Sequence, residues 1–327
     1  MIPLSVLDLV PVREGEDVSD ALRHTGELAA AAEAAGYKRF WVAEHHATEG
    51  VAGGAASVVL AHVGHCTSTI RIGSGGIMLP NHNPFVIAEQ FGTLAALFPG
   101  RIDLGLGRAP GAAPILGQAL RKELHRAAEY FPQDVLELRA LLTGDVDLPI
   151  RATPGFGSDV EMWMLGSSLF GAQLAARLGM PYAFASHFAP DHLDEALAIY
   201  RRDFRPTAYL DRPHAMAAMT VIAADTDEEA EYLASSQEQA FVRLRSGDPG
   251  KLPPPVENYR DTLPAASRGM LRHLDRARAV GSPATVSAKI AEFVKHTSAD
   301  EIITSGAIFD PDKRCRSLAL VMEGLTG

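Results

Sequence analysis

Ile102-Asp103-Leu104-Gly105-Leu106-Gly107-Arg108-Ala109-Pro110-Gly111 is where two α/β architectures part. The glycines imitate the GxGxxG turn of a doubly wound, dinucleotide-binding sheet. That turn belongs between the first strand and a helix whose N-terminus receives a pyrophosphate. Here it follows the fourth strand-like run, and Pro110 stands where the helix would begin. No such turn follows the first run, Leu4–Leu9. The open sheet thereby loses its main signature.

Outward from this stretch the chain alternates short β-like runs with amphipathic helical segments. The runs are Leu4–Leu9, Lys38–Ala43, Ile70–Gly75, Ile102–Gly107, Glu161–Leu165, Tyr182–Ala185, Ala215–Ala223 and Glu301–Ser305. Helical periodicity marks Ala21–Ala35, Ala55–His65, Pro84–Phe98, Ala113–Leu142 with a break near Pro132, Phe170–Leu178, Asp191–Phe204 and Asp227–Arg245. It returns in Ala266–Val280, Thr285–His296 and Asp312–Glu323. Eight β-runs separated by helices predict parallel strands closed into a (β/α)8 TIM barrel, one domain over residues 1–327. The run Ser246-Gly247-Asp248-Pro249-Gly250-Lys251-Leu252-Pro253-Pro254-Pro255 is too rich in proline and glycine for regular structure. Residues 246–265 are therefore expected to form a mobile active-site loop inserted before the last βα unit.

A chain of 327 residues, 47% hydrophobic, can bury a large core without staples. Its 40 acidic and 30 basic side chains give a formal charge of −10 without a basic tract, which disfavours nucleic acid or an anionic membrane as partner. Cys66 and Cys315 lie far apart in apolar contexts, so buried free thiols and a reducing, cytoplasmic setting are expected. The N-terminal residues show no export signal, and no apolar run approaches the ~20 residues of a membrane span.

Barrel enzymes work at the C-terminal ends of their strands, and chemistry gathers at those ends here. Glu44-His45-His46 follows the second strand. Adjacent strand residues face opposite sides, so one imidazole belongs in a site and the other behind it. That arrangement and the absence of HExxH predict no metal. The third strand runs through Gly75-Gly76 into Asn81-His82-Asn83, the fourth ends at Arg108, the fifth at Ser167-Ser168, and the sixth leads to His187. Taken singly, a strand-end histidine can be a structural hydrogen-bonder, Arg108 a solvated cation and Ser168 a plain N-cap. Together, Arg108 beside a serine-led helix N-terminus suits a phosphate, and a glycine-lined strand end lets a flat ring approach the backbone. The inferred ligand is a phosphorylated planar cofactor.

These segments, with Trp41-Val42-Ala43, Phe98-Pro99-Gly100-Arg101 and Gly179-Met180-Pro181-Tyr182, resemble the bacterial luciferase-like flavin monooxygenase superfamily over almost the whole chain. The resemblance implies a dimeric barrel that binds FMN and uses the reduced flavin with O2 to oxidise a small organic substrate. It makes His45 the catalytic histidine, supported by Glu44 and His46. Gly75-Gly76 falls where relatives hold a non-prolyl cis peptide against the flavin. Arg108 and Ser168 match phosphate-binding positions, with Ser167 beside them. The chain departs from luciferase itself at Gly107, where a reactive cysteine is expected, and at Ser167 and Gly171 in the phosphate loop, which argues against light emission. Asn81, His82, Asn83 and His187 are further pocket candidates. No nucleotide fingerprint indicates direct use of NAD(P)H, so a separate reductase is the expected source of reduced FMN. The alternatives are a deazaflavin-dependent hydride-transfer enzyme, separable by oxygen consumption, and a non-catalytic flavin-binding barrel.

Overall fold

A computed structural model describes residues 2–109, 114–120, 123–145 and 148–326. Eight parallel strands close on themselves: β1 (Leu4–Asp8), β2 (Arg39–Val42), β3 (Arg71–Met78), β4 (Ile102–Gly107), β5 (Glu161–Gly166), β6 (Tyr182–Phe184), β7 (Ala215–Ala223) and β9 (Glu301–Ser305). The order is β6-β5-β4-β3-β2-β1-β9-β7, and β6 pairs with β7 to complete the circle. The (β/α)8 barrel expected from the periodicity is the observed fold.

A ninth strand, β8 (Arg278–Gly281), pairs with β7 at Thr220–Ala223. It corrects the expected helix Ala266–Val280, which ends at Leu274 and is followed by a single 3-10 turn. A four-residue apolar segment carries too little periodicity to tell strand from helix. The long segment expected as one broken helix is three, Pro114–Leu120, Leu124–Glu129 and Phe131–Thr143, with Pro132 in the first turn of the last, where its missing N–H costs nothing. Pro110-Gly111, whose proline argued against the dinucleotide turn, and the predicted helix start at Ala113 lie outside the described residues.

Helix α1 (Val18–Ala35) starts three residues before its apolar periodicity does. Asp17 caps it, accepting from the N–H groups of Ser19 and Asp20, and Gly36 ends it in the left-handed region at φ 88°. The insertion after α9 (Asp227–Arg245; helices are numbered in chain order) is partly ordered. It contains a one-turn helix at Tyr259–Thr262, and its loop is tied to the segment after β1 by Leu252 N–H to Val12 O (2.8 Å) and Glu14 N–H to Leu252 O (2.9 Å). Lys251 Nζ adds a bond to Glu16 O at 2.6 Å. The thiols differ from expectation: Cys66, on the last turn of α2 (Ala56–Cys66), is exposed, and Cys315 is half-buried.

Strand alternation sorts the core into two layers. Leu4, Val6, Phe40 and Val42 face the helices, whereas Leu7, Trp41, Ala43, Trp163, Met216 and Ile303 fill the barrel interior. At the N-terminal end of the strands this interior becomes ionic. Asp103 accepts from Arg39 Nη1 (2.8 Å), Arg71 Nε (2.8 Å) and Trp41 Nε1 (2.9 Å). Glu301 accepts from Ser5 Oγ (2.5 Å), Arg39 Nε (3.1 Å) and Lys38 Nζ (2.9 Å). Gly73 is required here because a Cβ would stand 2.6 Å from Asp103 Cβ and 2.9 Å from Trp41 Nε1.

Candidate active site

At the opposite end of the strands the barrel opens into a cavity of about 440 Å³. Leu7, Ala43, Leu165, Ala218 and Ile303 form much of its wall, and Pro249, Gly250 and Leu252 of the inserted loop complete it. The polar side chains reaching it include His45, His187, Thr220 and Ser305 from the barrel strands and the residues just after them, and Thr48, Gln237, Glu238, Arg260, Arg278 and Arg314 from the surrounding segments.

The alternation that sends Arg39, Trp41 and Ala43 inward carries His45 into this cavity and turns Glu44 away from it. Protein surrounds the imidazole at a distance while the cavity leaves its surface accessible. Burial lowers the His45 pKa; the adjacent Glu44 carboxylate offsets part of that and His46 adds to it. The ring is an uncharged proton acceptor at neutral pH. Among the described residues it makes no side-chain hydrogen bond, so a ligand is free to claim it.

Behind the wall, Glu44 is 3% exposed. Its Oε1 takes hydrogen bonds from His46 Nε2 and from His82 Nε2 (2.7 Å), and its Oε2 accepts from Met78 N–H at 3.2 Å. Burial would raise this carboxyl, but the bonds and charges of His82 and His46 prevail and hold it below the ordinary range. Glu44 thus clamps the ends of β2 and β3 together. The three ligand atoms lie within 4.8 Å of one another, and this is the one group among the described residues spaced to accept a cation. His82 was expected at the pocket; it stands here instead. Asn83 serves as the N-cap of α3 (Pro84–Leu97), and Asn81 is buried.

The Gly75–Gly76 peptide is cis. The β3–β4 register slips by one residue between Ser74 and Ile77, a bulge that turns this peptide. A Cβ on Gly75 would come 2.4 Å from Leu7 Cδ1, and one on Gly76 would come 2.6 Å from Gly105 O. At Gly76 only bare backbone fits against β4, whereas a Cβ at cavity-lining Gly75 would have to displace the Leu7 side chain. Beside it, Arg108 stacks on Phe170, its Cζ 4.1 Å from the ring centroid. Phe170 lies in the first turn of α7 (Leu169–Leu178), whose N-cap Ser168 makes no side-chain capping bond. Arg108, Ser167 and Ser168 therefore stand at a helix N-terminus that has no side-chain cap among the described residues, outside the cavity lining.

Sequence reasoning missed Asp8, which is buried under the cavity and accepts from Arg314 Nη2 (2.8 Å), Thr25 Oγ1 (2.7 Å) and Val10 N–H (3.1 Å). These bonds hold Val10 at φ 54°, an unusual conformation for a β-branched residue, where the chain leaves β1 for the cavity rim. A carboxylate on the helix-facing side of an apolar strand was the available signal.

The family model for luciferase-like monooxygenases matches residues 3–301. The chain belongs to this family. It is a monooxygenase, and such enzymes act on small molecules with O2. It is 47% identical to a luciferase-like monooxygenase of Escherichia coli (strain K12) over 324 residues, covering 98% of this chain and 96% of the relative. An N-acetyl-S-alkylcysteine monooxygenase of Bacillus subtilis is 39% identical over 256 residues, 76% of this chain and 75% of its own. Crystalline apo-MsnO8 superposes with a TM-score of 0.88 at 34% identity, covering 100% and 99% of the two chains. The fold alone is shared with the FMN-bound oxygenating constituent of 3,6-diketocamphane monooxygenase (TM-score 0.73, 17% identity, 98% and 97% covered) and an F420-dependent secondary alcohol dehydrogenase (0.68, 14%, 99% and 99%). No helix among the described residues is long and apolar enough to cross a membrane.

Proposed function

We propose that this family member uses reduced FMN and O2 to oxygenate a small, largely apolar organic molecule in the 440 Å³ cavity. The observation that carries the reading is that the Gly75 backbone and His45 line the same cavity. A flat ring system fits against a wall bare of side chain at Gly75, and the group's phosphate fits the N–H groups of α7 with Ser167, Ser168 and Arg108. When bound, reduced FMN supplies the electrons that activate oxygen. His45 holds or moves a proton at its cavity-facing edge, Glu44 fixes the β2 end that presents it, and His46 restrains Glu44. The apolar walls exclude water from the reacting atoms. The inserted loop, tied at Leu252, serves as a lid that tightens on ligand binding.

FMN reduced by a partner reductase and a homodimer built on the early helices complete the proposal; exposed Val18 on α1 and Val58 on α2 suit that interface. The test is an FMN titration followed by fluorescence, then oxygen uptake by the photoreduced complex. Arg108→Ala should weaken FMN about 10- to 100-fold, the worth of a charge-assisted hydrogen bond. Equal affinity of the variant, or preferential binding of a deazaflavin with no oxygen uptake, would refute the reading.

A further inference from the structure

We propose that His187 determines specificity: its Nε2–H donates a hydrogen bond to one acceptor atom on an otherwise apolar substrate. This rests on the cavity being the substrate site. Three observations lead to it. The residue is held rigidly just after β6, where Ser186 Oγ donates to Ala218 O at 2.5 Å and Phe188 N–H to Ala185 O at 3.2 Å. Its ring lines the cavity, yet Nδ1 is sealed from solvent and has no hydrogen-bond partner among the described residues. The cavity surface is mostly apolar, with Leu7, Leu165, Phe188 and Ala218 among its lining, although Thr220, Gln237 and three arginines also reach it.

A buried nitrogen with no partner is better tolerated as a bare lone pair than as an orphaned N–H. The single proton of a neutral imidazole then resides on Nε2, the nitrogen left to face the cavity. Burial, with a lesser contribution from neighbouring His45, lowers the His187 pKa to about 4, so the ring stays neutral near pH 7. His187 is therefore a fixed uncharged donor with nothing to accept it. A substrate lacking an acceptor leaves this N–H unpaired in an apolar wall, a penalty of about 10- to 100-fold in affinity. His45, free to accept and standing on the same cavity, does not remove that requirement.

The FMN-loaded protein is the material for the test. Cyclohexanone and methylenecyclohexane have nearly the same shape and differ in whether an acceptor oxygen is present. Wild type should bind the ketone about 10- to 100-fold more tightly, His187→Leu should bring the ratio close to one, and His187→Gln, which keeps a donor near the Nε2 position, should restore part of it. Nitrogen-15 NMR of the His187 ring should show the Nε2–H tautomer at pH 7, and this measurement decides the matter should the variants fail to fold. A Nδ1–H tautomer or an imidazolium overturns the proposal. So does an unchanged ratio in His187→Leu, failure of both probes to bind, or loss of FMN affinity with the ratio intact, which would place the acceptor on the flavin. Failure of wild type to bind FMN refutes the cofactor reading instead, while the tautomer remains readable.

Discussion

The two ends of this barrel's interior are made by the same strands, and their inward-facing polar groups are treated in opposite ways. At the N-terminal end Asp103 and Glu301 are fully buried, and Arg39 nearly so; each carboxylate receives at least three hydrogen bonds. At the C-terminal end His45 has no side-chain bond among the described residues and His187 keeps an orphaned nitrogen. The T-shaped pair Trp41–Trp163, with centroids 5.3 Å apart, stands between them. Polar groups satisfied internally hold the strands in place, and polar groups left unsatisfied wait for a ligand. Barrels in general divide stability and chemistry between these faces, and here the hydrogen-bond inventory draws the division residue by residue.

The sharpest way to break the contrast is to remove one group from each end. His45→Ala should cut turnover by ~10²- to 10⁴-fold, the usual worth of a positioned acid–base group, with FMN affinity and the unfolding midpoint close to wild type. An equally active variant would take His45 out of the chemistry. Asp103→Ala should do the reverse. It leaves the Trp41 N–H without its acceptor and removes one carboxylate from Arg39 and Arg71, which keep Glu301 and Glu161, at a cost of about 3–5 kcal/mol. Urea unfolding should show that loss while FMN affinity survives in the folded fraction. Stability unchanged in Asp103→Ala would mean that the ionic end only fills space.

Much of this division was legible in the sequence because strand alternation is rigid. Once Arg39–Ala43 reads as a strand, Trp41 and His45 share one side and Glu44 and His46 the other, which is where they stand. The closed barrel followed from the count of β-runs, since helices between parallel strands leave few other solutions. What could not be read depends on contacts remote in sequence. Glu44 meets His82 38 positions away, and Asp8 meets Arg314 306 positions away; neither pairing leaves a local pattern. Strand β8 was lost because four residues cannot carry a period. Cys66 was misjudged because an apolar local context does not reveal that the last turn of α2 faces outward.

Acid separates the two ends by pH window. The Glu301 carboxyl would be raised by burial, but the bonds from His214, Ser5 and Lys38 and the Arg39 charge bring it down to about 2, from an ordinary 4.5. A depressed carboxylate adds stability that is fully present above the unfolded value and disappears as pH falls from about 4.5 towards 2. The shift corresponds to about 3 kcal/mol. The His187 value is also depressed, to about 4 from 6.5. The unfolded chain takes up that proton first, so this contribution shrinks earlier, between about pH 6.5 and 4. It is also the smaller of the two, because the cavity admits water to His187 whereas Glu301 has a fully covered side chain. Urea midpoints from pH 7 to 3 should therefore fall in two stages. His187→Gln should flatten the upper stage and leave the lower one, and Glu301→Gln should flatten the lower and leave the upper. If both variants altered the same stage, the ends would not be titrating independently, and the Trp41–Trp163 layer would be transmitting charge between them.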